Sequence, residues 1–509
     1  MSETTKEEQT LEEVAAIQSQ TGFIGHPKGV GILSFMQLCW SFAKYGMSSI
    51  LIFYLYKQAP DGLGFDQNSA SQLISLYFAV YPVCGVVGSY VADRIMGARR
   101  ALLISRITEA VAYICLAVPF FGMGGYAASQ LLLCVAAMMA GRSAETLIGK
   151  MYAKEDGRRD GAFTIMYVIQ NVGALSPIVT GTIALVLGYN GAFSFCAILS
   201  ALGALSLLVT DKKFFGPIGL EPDDPVEPSA RNPFLMKLVV VVAAIVVVGG
   251  FCLASGVLSV TDLANYVSTI AIFVPIAYIV YIYRSHKTSN EERRRVLAWV
   301  PLFVSNCFTF LVWMQGTTVL SVYAETSVDR NFFGMEITPA AFQTVPGLAA
   351  IIWGLVMAAV WSKMGSRQPG SSMKMGIGSI LWGLGPIFMC IPFVIFPAGV
   401  KVSPMWLIAF YFIIILGEAF TLPTGWSVSS KVAPLAFSTQ MVTVWGLSQS
   451  TGSALNTIAV NFYQAGQEVP YFLVIGGLSV VIGVGLMALA KKLDRDMDDG
   501  LEQKGQAAA

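Results

Sequence analysis

Charge is scarce in this 509-residue chain: Asp, Glu, Lys and Arg together make up 12% of it, about half the share found in soluble domains. The deficit comes with 55% hydrophobic residues and a mean hydropathy of +0.65. That combination argues against an ordinary water-soluble domain and points to a polytopic membrane protein. A net charge of +1 offers no basic field for nucleic acid. Histidine is nearly missing. His26 and His286 are the only two, and both lie outside the long apolar runs, so no histidine cluster can hold a metal or relay protons within a bilayer. The eight cysteines (39, 84, 115, 134, 196, 252, 307 and 390) all lie in apolar stretches, none at C-x-x-C spacing. They read as small buried hydrophobes.

Enzyme signatures are missing as well. There is no Walker A motif, no H-E-x-x-H and no nucleophile–base constellation, so no enzymatic activity, metal or cofactor is expected. "GMGG" (122–125) is a turn between apolar runs and "GIGSILWGLG" (376–385) lies inside one, where small residues help helices pack. No repeated filter motif suggests a channel. The N-terminus lacks the basic start and apolar run of a signal peptide. It is acidic (Glu3, Glu7, Glu8, Glu12, Glu13), and residues 1–28 are expected to form a cytoplasmic tail, as are 491–509. Tails of this length are too short for a signalling domain, which weighs against a sensor built on a transporter scaffold.

What is present is a series of apolar segments long enough to cross a bilayer, at ~20 residues each. Fourteen fall near 29–56, 69–91, 99–121, 126–147, 162–187, 191–210, 235–257, 262–283, 296–324, 338–361, 373–398, 402–428, 437–463 and 470–490. With the N-terminus in the cytoplasm, 26 of the 32 Lys and Arg fall in cytoplasmic segments and three (Lys57, Arg330, Lys401) in outer loops. The other three, Lys44, Arg106 and Arg142, lie within or at the edge of spans. The asymmetry supports both the orientation and the span count. The loop "RIMGARR" (94–100) has an echo in "SKMGSRQ" (362–368). Setting aside 235–283 makes these corresponding loops of two six-helix halves, 29–210 and 296–490, the layout of major facilitator transporters. The pair 235–283, rich in Val, Ile, Ala and Gly, reads as a lipid-facing addition between the halves.

Two charges inside apolar runs stand out. Glu418 is alone in the run from Trp406, with Pro423 and Gly425 following it. A buried carboxylate pairs with a cation or takes up a proton, and Pro423 and Gly425 would loosen the helix where it faces a cavity. A structural carboxylate tied to a neighbouring helix is the alternative. Lys44 sits near the middle of "FMQLCWSFAKYGMSSILIFYLY" (35–56), at an insertion cost of at least about 2.5–3.5 kcal/mol.

The stretch "GEAFTLPTGWSVSSKVAP" (417–434) resembles a signature of the proton-dependent oligopeptide transporter family. "ADRIMGARR" (92–100), "RRDGAFTIMYVIQNVGA" (158–174), "FQTVPG" (342–347), "MVTVWGLSQSTG" (441–452) and "GHPKG" (25–29) are similar to other family motifs. The resemblance implies an all-α polytopic membrane protein of the major facilitator fold: two six-helix bundles plus an extra helix pair, in an inner membrane, with both termini cytoplasmic. It also implies a reader of zwitterions. Glu418 and Asn171 hold the amine of a small peptide and basic residues hold its carboxylate, while Asp93, Arg94, Gly97 and Arg99 belong to the gating motif. Fixing the two charged ends and leaving loose apolar pockets accommodates many side chains.

The chain departs from the family in its first span. Where the family has E-x-x-E-R-F-x-Y-Y-G, this sequence runs Gln37, Leu38, Cys39, Trp40, Ser41, Phe42, Ala43, Lys44, Tyr45, Gly46. Positions 37, 41, 44 and 48 share a helical face. Lys44 therefore reads as a replacement cation, meeting either the substrate carboxylate or Glu418, or else tied to partners in its own half. Gly141 takes the place of the family's fourth-span lysine and Arg142 follows it, available to substrate or to an intrahelical pair with Glu145. Met314 replaces a seventh-span glutamate beside the retained Gln315, and Val345 replaces the asparagine before Pro346. The expected contact set is Lys44, Tyr45, Arg142, Asn171, Gln315, Glu418 and Trp445. Glu418, then Glu145, is the remaining candidate for proton coupling. The expected function is transport of di- and tripeptides, by a monomeric carrier, with coupling weakened or lost; the alternative is proton symport of another amphiphilic or amino-acid-like solute through Glu418.

Overall fold

The computed structural model describes residues 3–153, 156, 158–222, 225–332, 334–364, 367–397 and 399–498. It is almost entirely helical. The helices are α1 (Glu3–Gln18), α2 (Lys28–Tyr56), α3 (Gln67–Val91), α4 (Ala98–Ala117), α5 (Gly122–Ala140), α6 (Ser143–Lys150), α7 (Arg158–Gly173), α8 (Ser176–Phe215) and α9 (Pro228–Ala254). They continue as α10 (Val260–Arg284), α11 (Asn290–Thr317), α12 (Val319–Thr326), α13 (Val345–Met364), α14 (Ser371–Ile395), α15 (Met405–Val432), α16 (Ser438–Ala459) and α17 (Glu468–Asp498). The strands β1 (Asn331–Phe332) and β2 (Met335–Glu336) form a small antiparallel hairpin. In hydrocarbon every backbone N–H and C=O must be satisfied within its own segment, which is why apolar runs of this length fold as helices.

Among the described residues, eleven stretches are long and apolar enough to cross a membrane. The fourteen expected segments can all be found as helix, and the difference has physical causes. Residues 161–211 qualify as one 51-residue stretch, although α8 breaks at Gly188, where φ is +73°. A side chain with a Cβ rarely adopts that conformation, so glycine sits where two expected spans meet. α4 carries Arg99, Arg100, Arg106 and Glu109, and α16 carries Ser, Thr, Gln and Asn. Their polarity keeps both outside the apolar criterion.

The chain divides into two compact units, Met1–Gly64 with Val83–Ser259, and Phe65–Pro82 with Val260–Ala509. In the first unit α2 packs along α7 and α8, and α4 packs on α5, α6 and α8. Leu33, Met36, Leu102, Leu147 and Phe215 are among its core. α9 buries little and exposes Val239, Val247 and Phe251, as expected of a lipid-facing helix.

The second unit is stitched through α16. Asn456 Nδ2 donates to Ser75 Oγ at 2.8 Å, and Gln72 Nε2 donates to the Thr457 carbonyl at 3.2 Å, which fastens the first half of α3. α10 is fastened to the same helix by Ser268 Oγ donating to Thr457 Oγ1 at 3.0 Å, and to the turn just after it by Asn461 Nδ2 donating to Asn265 Oδ1 at 3.1 Å. The expectation of a purely lipid-facing pair fits α9; α10 has a polar stripe turned to α16. A capping box opens α11: Ser289 Oγ accepts from Glu292 N at 3.2 Å, and Ser289 N donates to Glu292 Oε2 at 2.8 Å. Of the loop echo at 362–368, residues 365 and 366 lie outside the described residues, as do 1–2 and 499–509 of the two tails.

Asp66 caps α3. Its Oδ1 accepts from the N–H groups of Asn68 and Ser69 at 3.0 Å each, and its Oδ2 accepts from the Ser69 hydroxyl at 2.5 Å. Burial opposes the charged form, but these hydrogen bonds outweigh it and hold the Asp66 carboxyl below its ordinary range. A depressed carboxyl stabilises the fold above its unfolded pKa, and that contribution is lost as pH falls through the folded value. Asp66→Ala is expected to weaken hydrogen-exchange protection of the first turn of α3 by about 0.5–2 kcal/mol at neutral pH. The gap from wild type should close below about pH 4; a gap independent of pH would contradict the capping account.

Candidate functional site

The first-unit residues of the expected site lie on α2, α6 and α7. Ser41 is wholly buried against Gly173 of α7, so closely that a Cβ at 173 would collide with the Ser41 side chain. One turn of α8 locks the same junction, with Ser176 Oγ donating to the Phe42 carbonyl at 2.5 Å. The family's arginine therefore has no volume here: the small residue and the close helix approach go together. Gln37 and Ser48 are buried too, whereas Lys44 is half-buried and Tyr45 is 40% exposed.

Lys44 Nζ stands 4.8 Å from the centre of the Trp40 ring. On the same ring lies Arg106 of α4, its Cζ 5.0 Å from the centre. Trp40 Nε1 donates to Glu109 Oε1 at 3.1 Å, and Arg106 donates to Glu109 Oε2 at 2.5 Å. Glu109 is 1% exposed. Lys44 lies within the electrostatic reach of both Glu109 and Arg106. Two cations, one carboxylate and one indole thus cluster beside the former motif, with Arg106 and Glu109 buried and Trp40 and Lys44 half-buried. Sequence reasoning noted Arg106 only as a cation in or near a span and passed over Glu109. The signal was there: an R-x-x-E pair in an apolar run meets the test that singled out Glu418.

Arg142 precedes the first turn of α6 and lies 3.8 Å from Glu145 Oε1, both side chains more than a third exposed. The intrahelical pair expected as an alternative is thus present, and an exposed ion pair of this separation is weak. Asn171 Nδ2 donates to the Tyr167 carbonyl at 2.9 Å, two residues from the Gly173 contact. In the motif expected to serve gating, Asp93 and Arg94 lie in a π-helical turn, Ala92–Met96, ahead of Gly97. Arg99 Nε pairs with Asp211 Oδ1 at 2.6 Å, and its NH1 donates to the Gly216 carbonyl at 2.9 Å. The motif clamps the start of α4 to the end of α8.

In the second unit Glu418 is half-buried on α15. Among the described residues of this unit its carboxylate has no ion pair or hydrogen bond, while the neighbouring Gly417 and Thr421 face α14, where Trp382 Nε1 donates to Thr421 Oγ1 at 3.3 Å. α15 stays helical through Pro423 and Gly425, so the expected loosening is not a break. Gly425 instead seats the indole of Trp445, which leaves no room for a Cβ. Glu418 and Gly425 are seven residues apart, so the carboxylate and the Trp445 seat share a face of α15 about 10 Å apart along its axis. Trp445 also packs against Trp299, ring centres 5.9 Å apart and planes tilted by 59°. Gln315 is elsewhere. It is fully buried, its Nε2 donates to Asn456 Oδ1 at 2.6 Å, and its Oε1 accepts from the Tyr471 hydroxyl at 3.0 Å. Its amide is already committed to the α16 network.

The POT family profile matches residues 143–478. A di-/tripeptide transporter of Lactococcus lactis subsp. lactis is 31% identical, covering 95% of this chain and 99% of its own length. The crystal structure of a peptide transporter POT in complex with sulfate superposes with a TM-score of 0.91 at 34% identity, covering 96% of this chain and 99% of that one. A POT family transporter solved with 5-aminolevulinic acid gives a TM-score of 0.88 at 31% identity, covering 94% and 99%. The fold class is thereby all-α and polytopic, of the major facilitator type.

The Ser41–Gly173 contact generates a test. Ser41→Arg forces a long cation into a filled helix junction, and overpacking alone costs about 1–3 kcal/mol. A lower Tm in detergent is expected, with Ser41→Ala close to wild type. An arginine variant as stable as wild type would show that the junction has room for the family's cation.

Proposed function

The chain belongs to the POT family of membrane transporters, and on that footing we propose that it carries di- and tripeptides across the cytoplasmic membrane by alternating access. The observation that carries this reading is the likeness, over nearly the full length of both chains, to the di-/tripeptide transporter of Lactococcus lactis. Two six-helix halves with the extra pair 235–283, fourteen spans in all, both termini cytoplasmic, and a monomer complete the proposal. Lys and Arg placement supports the orientation.

In this reading Glu418 and Asn171 receive the peptide amine, and Lys44, with Arg142, receives its carboxylate. Tyr45 and Trp445 complete the lining, and Gln315, expected there as well, supports it from behind. The Glu418 carboxylate supports its role by having no ion pair or hydrogen bond among the described residues of its unit, on the helix face that also seats Trp445. The buried amide of Gln315 favours a scaffolding role for that residue. Glu418→Gln removes the charge and keeps the shape. Losing one charge-assisted hydrogen bond is expected to raise the apparent KM for a neutral dipeptide roughly 10- to 100-fold, equivalent to about 1.5–3 kcal/mol. N-acetylated dipeptides should compete poorly with wild type. Equal competition by blocked and free dipeptides would remove the zwitterion model.

Proton coupling is proposed to be weak or lost. Gln37, Trp40 and Ser41 cannot titrate as the family's glutamates do or pair as its arginine does. Solute gradients alone, through facilitated diffusion or exchange, then drive the cycle. A second reading keeps proton symport of an amino-acid-like solute through Glu418, with Glu145 as a lesser acceptor. It is favoured by that same unpartnered carboxylate and by the relative that binds 5-aminolevulinic acid. Proteoliposomes under an inward proton gradient separate the two. The first reading expects no uphill accumulation of a neutral dipeptide, whereas robust accumulation abolished by an uncoupler would overturn it in favour of the second.

A further inference from the structure

We infer that Glu109, acting through Trp40, is a positioning residue for Lys44, and that the Arg106–Glu109–Trp40 group on α4 and α2 replaces the support the first span has lost. The inference rests on the reading of Lys44 as the cation for the substrate carboxylate.

A lysine has four rotatable side-chain bonds and a compact charge, so an ammonium that must meet a carboxylate at one place needs something to orient it. The family's motif supplies carboxylates and an arginine on its own helix. Here Trp40 stands at one of those carboxylate positions, and its ring lies one turn from Lys44 with the ammonium 4.8 Å from the ring centre. The attraction between a cation and an indole face holds the ammonium without hydrogen-bonding it, so Trp40 occupies none of its three N–H donors. The ring orients Lys44 only if the ring itself is fixed. Glu109 fixes it, because its Oε1 accepts from Trp40 Nε1 at 3.1 Å across 69 residues of sequence. Its other oxygen is held by Arg106, and the Arg106 guanidinium covers the Trp40 ring at 5.0 Å. The three groups close a loop: carboxylate to indole N–H, carboxylate to guanidinium, guanidinium to indole face. Glu109 touches no substrate in this scheme; it orients Lys44 through Trp40, and its charge also reaches the ammonium.

The test compares uptake of a free dipeptide with uptake of the same dipeptide amidated at its C-terminus. Lys44→Met should raise KM for the free dipeptide about 10- to 100-fold and leave the amidated one nearly unchanged. Glu109→Gln and Trp40→Leu should move KM in the same selective way, by about 3- to 10-fold, with the maximal rate largely kept. Trp40→Phe, which retains an aromatic face, should lie between wild type and Trp40→Leu. In the Lys44→Met background, Glu109→Gln should add almost nothing, since residues acting through one contact are not additive. Because Glu109→Gln leaves Arg106 buried without its counter-ion, the tryptophan pair carries the test should that variant fail to fold. If Lys44→Met weakens free and amidated peptides alike, the Lys44 reading fails. If Lys44→Met is selective but Trp40→Leu and Glu109→Gln are not, that reading stands and the positioning role is overturned. Additive effects in the double variant would overturn it as well.

Discussion

In hydrocarbon a polar group finds its partner inside the protein or is not tolerated. The arrangement of this chain follows from how that constraint is met at each polar side chain. Asn456 and Thr457 on α16, and Asn461 in the turn after it, bind groups on α3, α10 and α11. These side chains lower the apolarity of α16 and fasten the second unit. On α4 the charges of Arg106 and Glu109 answer one another and take in Trp40. Removing one partner from such a pair is far more damaging than removing both, since the remaining charge stays buried. Glu418 differs, with its carboxylate left without an ion pair or hydrogen bond by the described residues of its own unit. A group set apart in this way from a satisfied scaffold is where a ligand or a proton is expected to act.

The same constraint shapes α2. Ser41 carries no charge that would need an answering carboxylate, and Gly173 of α7 packs directly against its side chain. The position differs from the family's motif in available space as well as in charge. Lys44 lies beyond that junction, where Trp40 provides a ring face and α4 provides the charges. Restoring a single charge at Ser41 would not restore the family's arrangement, since the space and the partners have changed together.

Much of this was legible in the sequence because isolation is visible there. Glu418 and Lys44 stood out as charges in apolar runs, and the helical segments followed from length and hydropathy. What escaped were relations between segments. Glu109 and Trp40 are 69 residues apart, and Glu109 lies in a run where Arg99, Arg100 and Arg106 blur the edge of the span. Nothing local announces that Gln315 is held by Asn456 and Tyr471 from two other helices. A retained polar residue looks alike whether it faces a ligand or a neighbour. The polar stripe of α10 was hidden by the same effect, because Ser268 and Asn265 are minor features of a mostly apolar run and acquire meaning only against α16.

The ways in which Arg106 and Lys44 are held carry the argument one step further. Arg106 meets Glu109 directly, and an ion pair at hydrogen-bond distance cancels most of the field each charge would project. Such a pair serves the scaffold. An indole face attracts an ammonium through its quadrupole and cancels no formal charge. A lysine steadied in that way keeps its full charge, which suits a group whose proposed partner arrives and leaves in every transport cycle. A carboxylate in place of Trp40 would instead compete with the substrate for the same cation, and protonation would be one route to relieve that competition. With an indole at this position, Trp40 presents no carboxylate to be protonated. The proposed solute-driven exchange is thereby matched to the loss of a titratable group at position 40, as it is to that at Gln37.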